Sequence, residues 1–178
     1  MANVLPVVLR TRLIVPTPVR FRRARAPQAA LRTPSPPSAA VDWVKATDAE
    51  FFQSDSRPIM LFDGVCNLCN GGVRFVRDND PNRRIRYQAL QGESGRKLLQ
   101  RCGRSPDDIS SVVLVEKDSS YIKSEAVLRI MEYLDMPFPP LAFFLKIVPL
   151  FVRDFAYDNV ANNRYSLFGR SESRSCEI

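Results

Sequence analysis

Between residues 58 and 136 the apolar positions change period several times, and each change marks an element. The run IMLFD (59–63) is short, wholly apolar and stopped by Asp63-Gly64, the pattern of a buried strand. In CNLCNGGVRFVRDN (66–79) Val73, Val76 and Phe75 fall on one side while Arg74 and Arg77 point outward. This predicts a helix that ends at Asp80-Pro81. RIRYQAL (84–90) alternates as a strand does, and ESGRKLLQRCG (93–103) reads as a helix closed by Gly103. SVVLVEK (111–117) is a second buried strand, joined through Asp118 to a shorter one at 119–124; so tight a link predicts an antiparallel hairpin. Ser124 then stands as the N-cap of a helix with Glu125 in its first turn. Val127, Met131 and Leu134 form its expected core stripe.

Strands joined by a crossover helix run parallel, and the hairpin adds an antiparallel edge. The order strand–helix–strand–helix–strand–strand–helix therefore predicts an α/β fold. Its core is a mixed four-stranded sheet covered by helices, the thioredoxin/glutaredoxin order, with additional helices after it. Residues 41–57, with Trp43, Phe51 and Phe52 among polar neighbours, predict a linker or short helical arm. After the turn at 137–140 the chain is apolar through LAFFLKIVPLFV (141–152). Twelve residues interrupted by Lys146 and Pro149 are too few for a span, so the expectation is a buried helix covering the sheet, with a membrane-surface contact as the alternative. Residues 171–178 read as a flexible tail, and no internal repeat is present.

Composition adds little until the charge is located. Hydrophobic residues make up 45% and charged residues 25%, ordinary for a globular protein, and no apolar run reaches the roughly 18 residues of a membrane span. The formal charge of +7 lies wholly in the first forty residues, which hold seven arginines, seven of the fourteen prolines and no acid. The remainder is neutral and offers no electrostatic case for nucleic acid. Such a leader fits an organelle transit peptide over residues 1–40, with a permanently attached disordered tail as the alternative. Pro6, Pro16, Pro18 and Pro27 interrupt the amphipathic helix of a mitochondrial presequence, so the expectation is a chloroplast, then a mitochondrion. Histidine is absent, which excludes Ser-His-Asp and Cys-His catalysis and imidazole-ligated zinc.

One constellation carries chemistry: Asp63-Gly-Val-Cys66-Asn-Leu-Cys69, at the junction of a predicted strand and a predicted helix. With Cys66 at the cap and Cys69 in the first turn, the sulfurs can meet. The helix's free N–H groups favour a thiolate at Cys66. Cys66 would attack a disulfide and Cys69 would resolve the mixed disulfide, with no cofactor and no metal required. Competing readings are half of a zinc site completed by Cys102 and Cys176, two inert thiols, or a structural disulfide. A phosphatase-type nucleophile at Asp63 is a further one, though the acid such chemistry wants two residues on is Val65. In the runner-up class the chain is a non-catalytic binding or assembly module whose CxxC is structural or holds metal.

The Asp63-x-x-Cys66-x-x-Cys69 signature resembles that of the DCC family of thiol-disulfide oxidoreductases. The likeness continues through CNLCNGGVRFV, YIKSEAVLRI and VPLFVRDFAYDNVANNRYSLFG with its Asn163-Arg164-Tyr165, over roughly residues 58–170. The resemblance implies a thioredoxin-like fold and protein-disulfide reductase activity, with Cys66 and Cys69 as the redox pair. Its partners would be client proteins with disulfides and a thiol reductant. Thioredoxins also place a cis-proline before the third strand; the nearest candidate here is Pro106, six residues before Val112. Asp63 has two expected roles, accepting the Cys69 proton during resolution or bonding the turn amides. Arg164 is expected to hold the C-terminal segment or to stabilise a thiolate, and Cys102 to be a packed thiol.

Overall fold

The computed structural model describes residues 42–171. The leader (1–40) and the tail beyond Ser171 lie outside the described residues. The chain begins with α1 (Trp43–Thr47), capped by the Asp42 carboxylate, and a π-helical turn over Asp48–Phe52. Then follow β1 (Ile59–Phe62), α2 (Asn67–Asp78), β2 (Arg86–Ala89), α3 (Glu93–Arg101), β3 (Val113–Val115) and β4 (Ser120–Ile122). The helices α4 (Lys123–Tyr133), α5 (Phe138–Lys146) and α6 (Leu150–Phe168) complete it.

The sheet has the order β2-β1-β3-β4. β1 and β2 run parallel, with Leu61 opposite Gln88; β3 is antiparallel to β1, and β4 to β3. The sheet is mixed and four-stranded as expected, but its antiparallel part is more than the hairpin edge: β3 runs against β1 although the α3 crossover links it to β2. Because side chains alternate across a strand, β1 and β3 feed two cores. Met60, Phe62 and Leu114 meet Val73 and Val76 of α2 and Ala126 and Ile130 of α4 on one face. Ile59, Leu61, Val113 and Val115 meet Leu98 and Leu99 of α3 and Phe52 of the arm on the other. Burial on both faces is why β1 reads as an unbroken apolar run rather than an alternating one. Gly95 lets α3 approach closely: a Cβ there would press into the Ala89 carbonyl and stand 3.0 Å from Leu90 Cα.

Four expectations about the helices are corrected. The core stripe of α4 is Ala126, Ile130 and Leu134, whereas Val127 is exposed and Met131 half-buried. The helix opens at Lys123 (φ 52°) directly from β4, so Ser124 is not the cap; its hydroxyl donates to Asp154 of α6 instead. Phe75 stays half exposed, edge-on to Phe138 at 5.3 Å. Residues 141–152 do not form a helix buried over the sheet. Pro149 separates α5 from α6, Ala142 is the one buried residue of α5, and Phe143, Phe144 and Phe151 are 63–75% exposed. The sheet face is already covered by α2 and α4, so α5 packs against α4 through Ala142 instead of on the sheet, and its phenylalanines stay outside.

Candidate active site

The site grows from the end of β1. Asp63 leaves the strand with its side chain turned inward, 2% exposed, and its Oδ1 accepts the Val65 N–H at 3.1 Å, an Asx turn that reverses the chain. The backbone bond from Cys66 N–H to the Asp63 carbonyl (3.2 Å) closes the turn. Cys66 is then the N-cap of α2 with extended dihedrals (φ −90°, ψ 122°), and Cys69 lies one turn in. The two predicted cysteines are thus brought together as free thiols. Burial, the hydrogen-bonded Cys66 thiol and the nearby Asp63 charge push the Cys69 thiol up to about 12. Cys69 therefore holds its proton at neutral pH, although it is the less buried of the two: Cys66 is 0% exposed and Cys69 half-buried. Cys102 does not join them: it caps the end of α3 and lines a separate cavity with Arg101 and Ser120.

Asp63 gathers four donors. Besides Val65 N–H, its Oδ1 accepts Gln91 Nε2 at 2.6 Å, and its Oδ2 accepts Arg164 Nη2 at 3.3 Å and the Tyr165 hydroxyl. Arg164, itself buried, also donates to the carbonyls of Ile109 (2.9 Å) and Ala161 (2.8 Å), which ties α6 to the loop before β3. Burial and the Asp63 bond both raise the Tyr165 hydroxyl, so it remains a donor at neutral pH. The result is a buried, paired carboxylate whose acceptor positions are filled, directly beneath the redox turn.

A cavity of about 70 Å³ opens beside Cys69, lined by Leu68, Ser110, Ser111, Val112, Tyr157 and Arg164 among others. Its wall opposite the cysteine is the loop before β3, the place of the thioredoxin proline. Pro106 is not a cis residue there; among the described residues the cis peptide is Met136–Pro137, at the start of α5. Instead the Val112 N–H donates to the Tyr157 hydroxyl at 2.9 Å, so a side chain from α6 holds the loop. Tyr157 and Gln91 are not legible from sequence as site residues, and Tyr165 stands out there only within the Asn163-Arg164-Tyr165 motif, with no role of its own. Tyr157, Ala161 and Arg164 are spaced as one helical face, and that periodicity was the available signal. Gln91 carries none.

A redox-sized CxxC at the start of the first crossover helix of a glutaredoxin-ordered sheet defines the class, a thioredoxin-like dithiol protein. The family model for the DCC1-like thiol-disulfide oxidoreductases matches residues 60–170, and the chain belongs to that family. A chloroplastic DCC family protein of Arabidopsis thaliana is 73% identical over 139 residues, covering 78% of this chain and 79% of that protein. The uncharacterized protein YuxK of Bacillus subtilis is 41% identical over 112 residues, 63% of this chain and 81% of that protein. No solved structure matches the chain. Membership supports a general thiol-disulfide oxidoreductase role.

Proposed function

We propose that the protein exchanges its Cys66–Cys69 dithiol with disulfides of client proteins. The observation that carries this reading is the pair itself: two free, hydrogen-bonded thiols at the N-terminus of α2, of which Cys69 keeps its proton. Cys66 stands at the N-cap of the twelve-residue helix α2 and is the nucleophile in this reading. Its thiolate attacks one sulfur of the client disulfide, forming a mixed disulfide and releasing the other client sulfur as thiolate. Cys69 then loses its proton and attacks Cys66 Sγ. The mixed disulfide breaks, the Cys66–Cys69 disulfide forms, and the client leaves with two electrons. A separate thiol reductant restores the dithiol. The sulfurs carry the electrons themselves.

Asp63 and Arg164 position this pair. The Asp63 charge helps to keep Cys69 protonated until attack, and the Arg164 and Tyr165 bonds hold that charge in place. Proton acceptance by Asp63 would require it to release one of its four donors. Asp63→Asn distinguishes the two roles: slower resolution with unchanged stability marks a proton acceptor, and faster resolution marks a charge that holds the Cys69 proton in place. The leader and the chloroplastic name of the Arabidopsis relative together support a plastid ahead of a mitochondrion as destination.

The decisive experiment is a redox titration read by thiol-alkylation mass shift. Wild type is expected to show one reversible two-electron transition that Cys66→Ser and Cys69→Ser each abolish. Stoichiometric zinc held by Cys66 and Cys69, with no such transition, would replace the proposal with a structural metal module. A midpoint near about −270 mV marks a reductant and one near about −120 mV an oxidant.

A further inference from the structure

The attacking sulfur is covered by the chain's own C-terminal segment. Cys66 has 0% exposure although it sits at a helix cap. After α6, Gly169 adopts φ +75° and turns the chain back, and Arg170 forms an antiparallel bridge with Cys66. The Asn67 N–H donates to the Gly169 carbonyl (3.4 Å), and the Ser171 N–H to the Val65 carbonyl (2.9 Å). The Asn67 side-chain amide adds a bond to the Phe168 carbonyl at 2.9 Å, and Arg170 stacks on the Tyr165 ring, 4.1 Å from its centroid. Yet the segment anchors nothing in the core. Phe168 and Arg170 are exposed, and Gly169 and Ser171 are only half-buried. A segment paired along one edge, with no side chain of its own buried, opens more readily than the core strands.

Resting on the redox reading above, we propose that Gly169–Ser171 occupies the edge on which an extended client segment docks. The client displaces it and pairs antiparallel with Val65–Asn67, laying its disulfide against Cys66. The edge offers the groups a strand needs, the Val65 carbonyl and the Asn67 N–H, alternating as in any β ladder. Beside it lies an apolar groove formed by Leu68, Gly71, Gly72, Phe75 and Phe168. Gly71 and Gly72 are mid-helix, where glycine costs roughly 1 kcal/mol relative to alanine, and a Cβ at either would meet no atom within 4 Å. No packing among the described residues requires them; they leave a shallow floor for an apolar client residue. The segment's own Phe168 borders this floor, so the chain displays the chemistry it selects: an extended peptide with an apolar residue close to its cysteine. In the resting state the same contact shields Cys66 from small disulfides and oxidants.

The test is the rate at which iodoacetamide labels Cys66 in the reduced full chain, resolved by peptide mass, with Cys102 as internal reference. Two variants open the edge. Gly169→Val puts a β-branched residue at φ +75° with its Cβ 3.3 Å from Asn67 Nδ2. A chain ended after Phe168 removes the segment outright. Both are expected to label Cys66 at least tenfold faster than wild type, with Cys102 labelling and circular dichroism unchanged. The peptide Leu-Phe-Gly-Arg-Ser at millimolar concentration is expected to restore protection to the shortened chain. Equal Cys66 rates in wild type and the shortened chain overturn the covering contact, and failure of the peptide to protect overturns client docking there. If Cys66 is released but no reversible Cys66–Cys69 disulfide forms, the oxidoreductase reading fails while the contact stands.

Discussion

Two stretches of this chain rich in large apolar residues, 59–62 and 143–155, lie in opposite environments. Ile59–Phe62 is buried at every position, whereas Phe143, Phe144, Phe151 and Phe155 each stand more than 60% exposed. What separates them is the supply of partners. β1 is the second strand of a four-stranded sheet with helices on both faces, so either parity of side chain finds a core. The α5–α6 run joins a sheet whose faces are already occupied. Ala142 and the Tyr157–Ala161–Arg164 face reach inward, and the phenylalanines are left outside. Hydrophobicity sets the free energy available from burial; topology decides whether there is anything to be buried against.

The comparison predicts a hierarchy of effects. The largest is functional: Cys66→Ser at the end of the buried strand is expected to abolish disulfide reduction, while Phe151→Ser leaves the rate within about twofold, measured with a model disulfide peptide. Equal losses would mean that the exposed helices belong to the reacting site. Next come the cores. Leu61→Ala should cost about 2–5 kcal/mol in urea unfolding. Phe151→Ala should remain within about 0.5 kcal/mol, as for a surface site. Gly95→Ala should be intermediate, about 1–3 kcal/mol, because α3 must move off the Ala89–Leu90 backbone to admit one methyl group.

A last effect, absent at neutral pH, is a pH dependence confined to the buried region. Reduced Cys69 in the fold keeps its proton to about 12, against 9.0 for an ordinary thiol. Between those values the folded state binds more protons than the unfolded one, so stability is fully present below about pH 9 and declines as pH rises towards 12. Cys69→Ser should flatten that decline, measured by urea midpoints under reducing conditions. An identical slope in both proteins would show that Cys69 is more open to water than its surroundings imply.

Legibility from sequence followed the range of the interactions. The strand–turn–helix at Asp63–Cys69 was readable because every determinant is local: an apolar run, Asp-Gly, and two cysteines one helical turn apart. The α4 stripe was misassigned because 126-130-134 and 127-131-134 fit the helical period almost equally well. The direct β4–α4 join, with Lys123 at φ 52°, turns the former inward. The Asp63 network was only partly legible: Arg164 and Tyr165 stood out in a motif, but their partner is a hundred residues away and Gln91 belongs to another loop.

Taken alone, the amino-acid order determined the elements, the mixed sheet and the pairing of Cys66 with Cys69, since periodicity, turn residues and close spacing act within a few residues of chain. Tertiary structure decided what surrounds that pair. Which aromatics stay in water, how Asp63 fills its four acceptor positions and how Arg170 comes to lie over Cys66 depend on segments brought together from separate parts of the chain, in the last two cases across about a hundred residues. Such meetings are selected by the packing of the whole fold, and no local pattern encodes them.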